Sequence, residues 1–178
     1  MSFIGVVASR KCFENIKKKI TEQIKDETIN FIQINLISIE NIKNIKFETI
    51  IVEDNLEKFK NNKAIIEKIC KNVQYLMINT DKNPEHKGTE KVQNKITYGL
   101  NQKADVTVSS ISDTDILVYW QKNISDKEGN KIEIEERRIK RREKNTLNTY
   151  QILIIYTFFK IYKKNVIKEI QEKSNFFE

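Results

Sequence analysis

The sequence predicts an α/β protein: a mostly parallel sheet flanked by helices, followed by an antiparallel β-ribbon and a long C-terminal helix. Three observations predict it. Through the first half of the chain, short continuous apolar runs, as strands covered on both faces require, alternate with stretches of helical period. Beyond Gly99 the runs are strand-like and are punctuated by a turn that contains a glycine. Residues 146–164 then form a long stretch of helical period, too apolar to stand alone.

Each element follows from its own residues. Phe3-Ile4-Gly5-Val6-Val7-Ala8 is a continuous apolar run and predicts a central strand. Phe13, Ile16, Ile20 and Ile24 recur at helical spacing among lysines, which predicts an amphipathic helix over 12–25. Segments 31–37 and 49–52 read as strands joined through the polar stretch 40–44. A helix is expected over 56–71, with Leu56, Phe59, Ile66, Ile69 and Cys70 inward. Segments 75–78 and 95–98 complete the sheet. Segments 104–110, 115–121 and 131–138 predict the ribbon, and Gly129 in Asp126-Lys127-Glu128-Gly129-Asn130 supplies positive φ for a turn. In the last helix Leu147, Tyr150, Ile154, Phe158, Ile161 and Tyr162 define one stripe, widened by Leu153, Ile155 and Phe159.

At 178 residues and 39% hydrophobic, the chain can bury one substantial core. The single proline, Pro84, and the lack of a low-complexity linker predict one domain over 1–178. Within it, 1–100 form the α/β core, 101–140 the ribbon extension and 145–172 a helix packing back on the core. The net charge of +7 is spread through a lysine-rich, asparagine-rich chain, so only a local cluster would argue for nucleic acid. Cys12 and Cys70 fall in no Cys-x-x-Cys pattern and read as ordinary thiols of a reducing cytosol. The start lacks the basic flank and long apolar region of a secretion signal, and the apolar run 152–159 is well short of a membrane span. A cytoplasmic protein without membrane insertion is expected.

Asn79-Thr80-Asp81-x-x-Pro84 ends one predicted strand, and Ile96-Thr97-Tyr98-Gly99 ends the next. Ala104-Asp105-Val106 then opens a ribbon that leads to a helix entered through Asn148. This order resembles the central ATP-binding domain of the Mur ligases, with residues 75–111 carrying the match. Lys82 stands where that family has a second acidic residue, and the family's histidine before the helix entry is absent. The resemblance implies a P-loop-like, doubly wound sheet, with a shortened chain lacking the family's N-terminal and C-terminal domains. It also implies ATP and Mg²⁺ as cofactors, the metal held by a glutamate and a histidine, and a nucleotide rim at Asn79, Asp81 and Tyr98.

The residues after the first strand argue against those cofactors. A phosphate loop wraps phosphate oxygens with backbone N–H groups at a helix N-terminus, and it needs glycines, a lysine and a metal-holding hydroxyl. Ala8-Ser9-Arg10-Lys11-Cys12-Phe13-Glu14 offers no glycine, and Phe13 cannot hold a metal. What survives is a weak anion site, Arg10 and Lys11 beside a helix N-terminus, or simply two solvated cations. Glu53 and Asp54 could act as acid and base, although carboxylates at a strand end more often cap the next helix, with Asp54 or Asn55 in that role. His86 is the chain's one histidine and reads as a surface loop residue, and neither Ser109 nor Ser110 sits in a nucleophile elbow.

The expected function is therefore a non-catalytic Mur-ligase-like binding or structural module. It needs no cofactor and contacts a protein partner, with an association to cell-wall synthesis by family alone. An apolar patch involving Phe158, Phe159, Phe176 or Phe177 would serve such contact. The alternative is nucleic-acid or acidic-partner binding through Arg137, Arg138, Lys140, Arg141 and Arg142, whose guanidinium forks suit phosphates. The preceding Glu133, Glu135 and Glu136 offset that charge, and no aromatic interleaves it. A second alternative is a ligase-like enzyme that binds nucleotide in an altered mode.

Overall fold

The computed structural model describes residues 1–24, 28–85, 89, 92, 94–140 and 147–162. The chain divides into two compact units, Met1–Thr97 and Tyr98–Glu178.

In the first unit, β1 (Ser2–Val7) pairs in parallel with both β2 (Ile29–Gln33) and β3 (Thr49–Val52), and β3 pairs in parallel with β4 (Tyr75–Asn79). The fifth strand, β5 (Lys95–Tyr98), follows. Every residue of β3 and β4 is buried, as expected for strands covered on both faces. One face carries Ile50, Val52, Leu76 and Ile78, packed with Ile39, Ile42, Phe47, Phe59, Ile66 and Ile69 from the connecting segments. Ile51 and Met77 alternate to the other face. Helix α1 (Arg10–Gln23) buries Cys12, Phe13, Ile16 and Ile20, the helical spacing foreseen.

Gly5 lies in the middle of β1, where a Cβ would fall 2.7 Å from Cδ1 of Ile34 and 3.1 Å from the Phe47 ring. Both neighbours are enclosed, at 1% and 2% exposure, so neither can retreat freely. Gly5→Ala is expected to lower the stability of the fold by roughly 1–3 kcal/mol through overpacking. A urea titration followed by circular dichroism measures it, and an unchanged midpoint would show that the Ile34 methyl swings aside.

Several boundaries differ from those the pattern predicted. The second strand ends at Gln33 rather than running to residue 37, because Oδ1 of Asn35 accepts the N–H groups of Ile37 and Ser38, while Ser38 Oγ accepts that of Asn35. Side chains there give the backbone a turn in place of a ladder. The stretch 40–44, read as a connection, contains one helical turn, α2 (Ile39–Ile42), because Ile39 and Ile42 reach the core together at i,i+3. The helix expected over 56–71 is two pieces. A 3-10 segment spans Leu56–Asn62 and α3 spans Lys63–Lys71, with non-helical backbone at Phe59 (φ −98°, ψ 17°). Burial pushes the Cys70 thiol up to about 12, leaving it an inert core group.

In the second unit, Tyr98 pairs in parallel with Val106 of β6 (Val106–Ile111). Antiparallel pairing then joins β6 to β7 (Asp115–Trp120), with a bulge between Val108 and Ser110. Ile116, Val118 and Trp120 are buried and their neighbours less so, a period-two pattern. The single strand expected over 131–138 is split. A small hairpin pairs β8 (Ile124–Ser125) with β9 (Lys131–Ile132), while β10 (Glu135–Lys140) pairs antiparallel with β7. The hairpin turn has Gly129 at φ +84°, as its sequence demanded, and Asp126 Oδ1 accepts the N–H groups of Glu128 and Asn130.

Helix α4 (Thr149–Tyr162) begins with a reciprocal capping box: Gln151 N–H donates to Asn148 Oδ1 and Asn148 N–H donates to Gln151 Oε1. Gln151 through Phe159 and Ile161 are buried, so the helix is covered nearly all round and not along one stripe. Phe158 and Phe159, at 0% and 1% exposure, belong to this core and form no surface patch; Phe176 and Phe177 lie outside the described residues.

The strand order β10-β7-β6-β5-β4-β3-β1-β2 makes the fold a mostly parallel mixed sheet with an antiparallel margin, as foreseen. Among the described residues no helix is long and apolar enough to cross a membrane.

Candidate functional site

In open α/β sheets ligands gather at the carboxyl ends of the strands, so the ends of β1, β3 and β4 are the place to look. The connection from β1 to α1 is two residues, Ala8 and Ser9. Three of its acceptor oxygens are engaged by the protein itself. Ala8 O accepts from Gln33 Nε2 at 3.0 Å, Ser9 Oγ accepts from Cys12 N–H at 3.4 Å, and Ser9 O accepts from Phe13 N–H at 2.9 Å. Ser9 is thus the N-cap of α1. Arg10 and Lys11 follow it on the exposed first turn.

At the end of β3, Glu53 and Asp54 both donate their N–H groups to Val7 O, which fixes them beside the end of β1. Their carboxylates do not meet as an acid–base pair. Glu53 is buried and its Oε1 lies 2.5 Å from Nζ of Lys82. Asp54 pairs with Lys58 at 2.6 Å and accepts from Asn55 N–H. Burial pushes the Asp54 carboxyl up, but its bonds to Lys58 and Asn55 and the charges of Lys58 and Lys82 outweigh that and hold it below its ordinary value. Of the two capping candidates, Asn55 takes the role, accepting from Glu57 N–H at 2.8 Å.

After β4, Asn79 turns the chain: its Oδ1 accepts from the N–H groups of Asp81 and Lys82. Asn79 itself is fully buried, and Asp81 is exposed. Tyr98, expected to face a crevice, is instead at 0% exposure, because the strand that ends there is packed on both sides. Asn83, which the sequence reading passed over, ties the two turns together. Its Oδ1 accepts from Leu56 N–H, and its Nδ2 donates to Asp54 O and Asn79 O. Polar residues spaced after a strand end were the available signal, but such spacing marks any turn. Beside Asn83 opens a cavity of about 390 Å³, lined by Leu56, Phe59 and Ile66 and by charged residues of both signs, among them Lys63, Lys82 and Glu67.

The arginine run lies elsewhere, in the second unit. β10 continues through Lys140, so Arg137 and Arg138 are successive strand residues and point to opposite faces. Arg137 shares its face with Glu135 and is half-buried; Arg138 and Lys140 are exposed. Arg141, Arg142 and His86 lie outside the described residues.

The order of strands, the antiparallel margin and the final helix have counterparts of known structure. MurF of Acinetobacter baumannii superposes with a TM-score of 0.59 at 7% identity, over 96% of this chain and 46% of that one. The fold is like that of part of a Mur ligase. A second structure from the same organism, of UDP-N-acetylmuramoylalanyl-D-glutamyl-2,6-diaminopimelate--D-alanyl-D-alanyl ligase, gives 0.57 at 6% identity over 97% and 46%. The MurF ligase of Thermotoga maritima, in complex with ADP, gives 0.52 at 11% identity over 97% and 45%. The chain therefore spans about half the length of these Mur ligases. No family model matches the sequence, and neither does any curated protein.

The likeness to Mur ligases makes Mg²⁺ and ATP the groups to test against the residues present. Among the described residues no cluster of three or more His, Cys, Asp or Glu side chains could hold a metal ion. Of the two carboxylates at the end of β3, one is matched by Lys82 and the other by Lys58. Among the described residues neither group's requirements fit: both carboxylates at the end of β3 are matched by lysines, and the two-residue β1–α1 connection is too short for a phosphate loop.

Proposed function

We propose that this chain is a non-catalytic module with a Mur-ligase-like fold that works by binding a protein partner, one we associate with peptidoglycan synthesis through the likeness to Mur ligases alone. The observation that carries the reading is the two-residue connection Ala8–Ser9. A phosphate-binding loop needs roughly eight residues, Gly-x-x-x-x-Gly-Lys-Ser/Thr, so that successive N–H groups can converge on phosphate oxygens. Two residues cannot encircle a triphosphate, and here Ser9 has already capped the helix that would receive it. Asn79 Oδ1 and the Asn83 amide support the same reading, since they shape and join turns.

Thermal unfolding with and without ATP and Mg²⁺ tests this. A ligand at about 100 times its Kd adds about 2.7 kcal/mol, worth roughly 5–10 °C in a chain of this size. The expected result is no shift with ATP or ADP, in either the presence or absence of Mg²⁺. A rise of several degrees would overturn the proposal and favour nucleotide binding in an altered mode.

A further inference from the structure

Glu53 poses an electrostatic problem that the fold must solve. Its residue exposure is 6%, and its backbone is pinned to Val7 O at the end of β1. A buried carboxylate without a partner costs several kcal/mol, so a cation must stand beside it. In this chain the cation comes from within: Nζ of Lys82 lies 2.5 Å from Glu53 Oε1. The ammonium reaches down from the rim, its side chain 38% exposed against 8% for Glu53, and its backbone is set by Asn79 Oδ1. Asn83 holds the turn that carries Lys82 against the end of β3.

A hard divalent ion gathers six or more oxygens around one point, one or two of them from carboxylates and the rest from waters, carbonyls or phosphates. Asp54 cannot join Glu53, since it is bonded to Lys58 and to Asn55 N–H. An incoming divalent cation would also meet the Lys82 ammonium at contact distance from the one oxygen it needs, and like charges that close repel strongly in a buried setting.

We propose that Lys82 is the built-in counter-cation of Glu53, supplying the charge a divalent metal would otherwise supply and closing the strand-end site to divalent ions. This goes beyond the absence of a phosphate loop, because it concerns the charge balance of the site and holds whether or not a nucleotide binds.

The test uses the whole chain and Mn²⁺ as probe. Wild-type protein is expected to show neither bound Mn²⁺ by electron paramagnetic resonance nor a change in Tm at millimolar Mn²⁺; binding that Glu53→Gln abolishes would overturn the proposal. Lys82→Met is expected to lose several degrees of Tm, and Glu53→Gln/Lys82→Met to regain at least half of that loss, because the carboxylate is no longer left alone. A Lys82→Met Tm equal to wild type, or a loss the second substitution does not relieve, would also overturn it. Should Lys82→Met fail to fold, the wild-type Mn²⁺ measurement still decides. Metal-free ATP binding would sink the non-catalytic reading and leave this one standing, and Mn²⁺ binding without ATP would do the reverse.

Discussion

Truncating Phe158 to alanine is expected to destabilise the protein by about 3–5 kcal/mol, the range for large-to-small changes at aromatic core positions. The ring is fully buried. It stacks on Tyr162 with centroids 4.2 Å apart and planes 9° from parallel, and it meets Phe159 edge-on at 6.3 Å. With apolar residues on every side of α4, the helix has no solvent face into which the cavity could collapse. A urea titration monitored by near-ultraviolet circular dichroism gives the value. A change within about 0.5 kcal/mol, as surface substitutions give, would mean that Phe158 faces solvent or a partner instead.

Removing Glu135 is also expected to destabilise the protein, because one carboxylate serves two groups on α4. Tyr156 O–H donates to Glu135 Oε1, and Lys160 Nζ lies 2.5 Å from the same atom. Glu135→Ala would strand a Lys160 ammonium whose side chain is 13% exposed, together with a largely buried hydroxyl. Leaving such groups unpaired costs roughly 1–3 kcal/mol, and the lower half of that range applies because water reaches and screens Glu135. Burial pushes the Tyr156 hydroxyl up, and its bond to the Glu135 carboxylate adds to this.

The same cluster sets a pH dependence. Burial raises the Glu135 carboxyl, but hydrogen bonds from Lys160 and Tyr156 and the charges of Lys160 and Arg137 outweigh it, so the group titrates below its ordinary 4.5. A depressed folded-state value means the contribution is complete above 4.5 and is lost as pH falls through the folded-state value. Urea midpoints of wild type are expected to fall across that acidic window more steeply than those of Glu135→Gln. Parallel curves would show that the cluster contributes nothing to the pH dependence.

Patterns with short range were legible. Phe13, Ile16 and Ile20 announced their helix, and the runs of β1, β3 and β4 announced buried strands, because period reports which faces are covered. The glycine-free stretch after β1 was legible as residue types, but its length was not: Ser9 could be read as a loop residue until its hydroxyl was found capping α1. Helix α4 misled in a different way. A helix buried all round shows no polar face, so listing its apolar positions suggests a stripe that has no physical counterpart. Arg137 and Arg138 looked like one patch because neighbours in sequence look like neighbours in space, and a strand separates them to opposite faces.

By itself the sequence determined the alternation of strands and helices, the Gly129 turn and the absence of glycine from Ala8 to Glu14, since each depends on a few adjacent residues and their allowed backbone. Only the tertiary structure decided which charges meet. Glu53 and Lys82 are 29 positions apart, and Glu135 and Tyr156 are 21 apart. Whether such groups touch depends on strand order and register, and nothing in local spacing encodes those. The burial that makes the pairing strong is likewise a property of the assembled sheet.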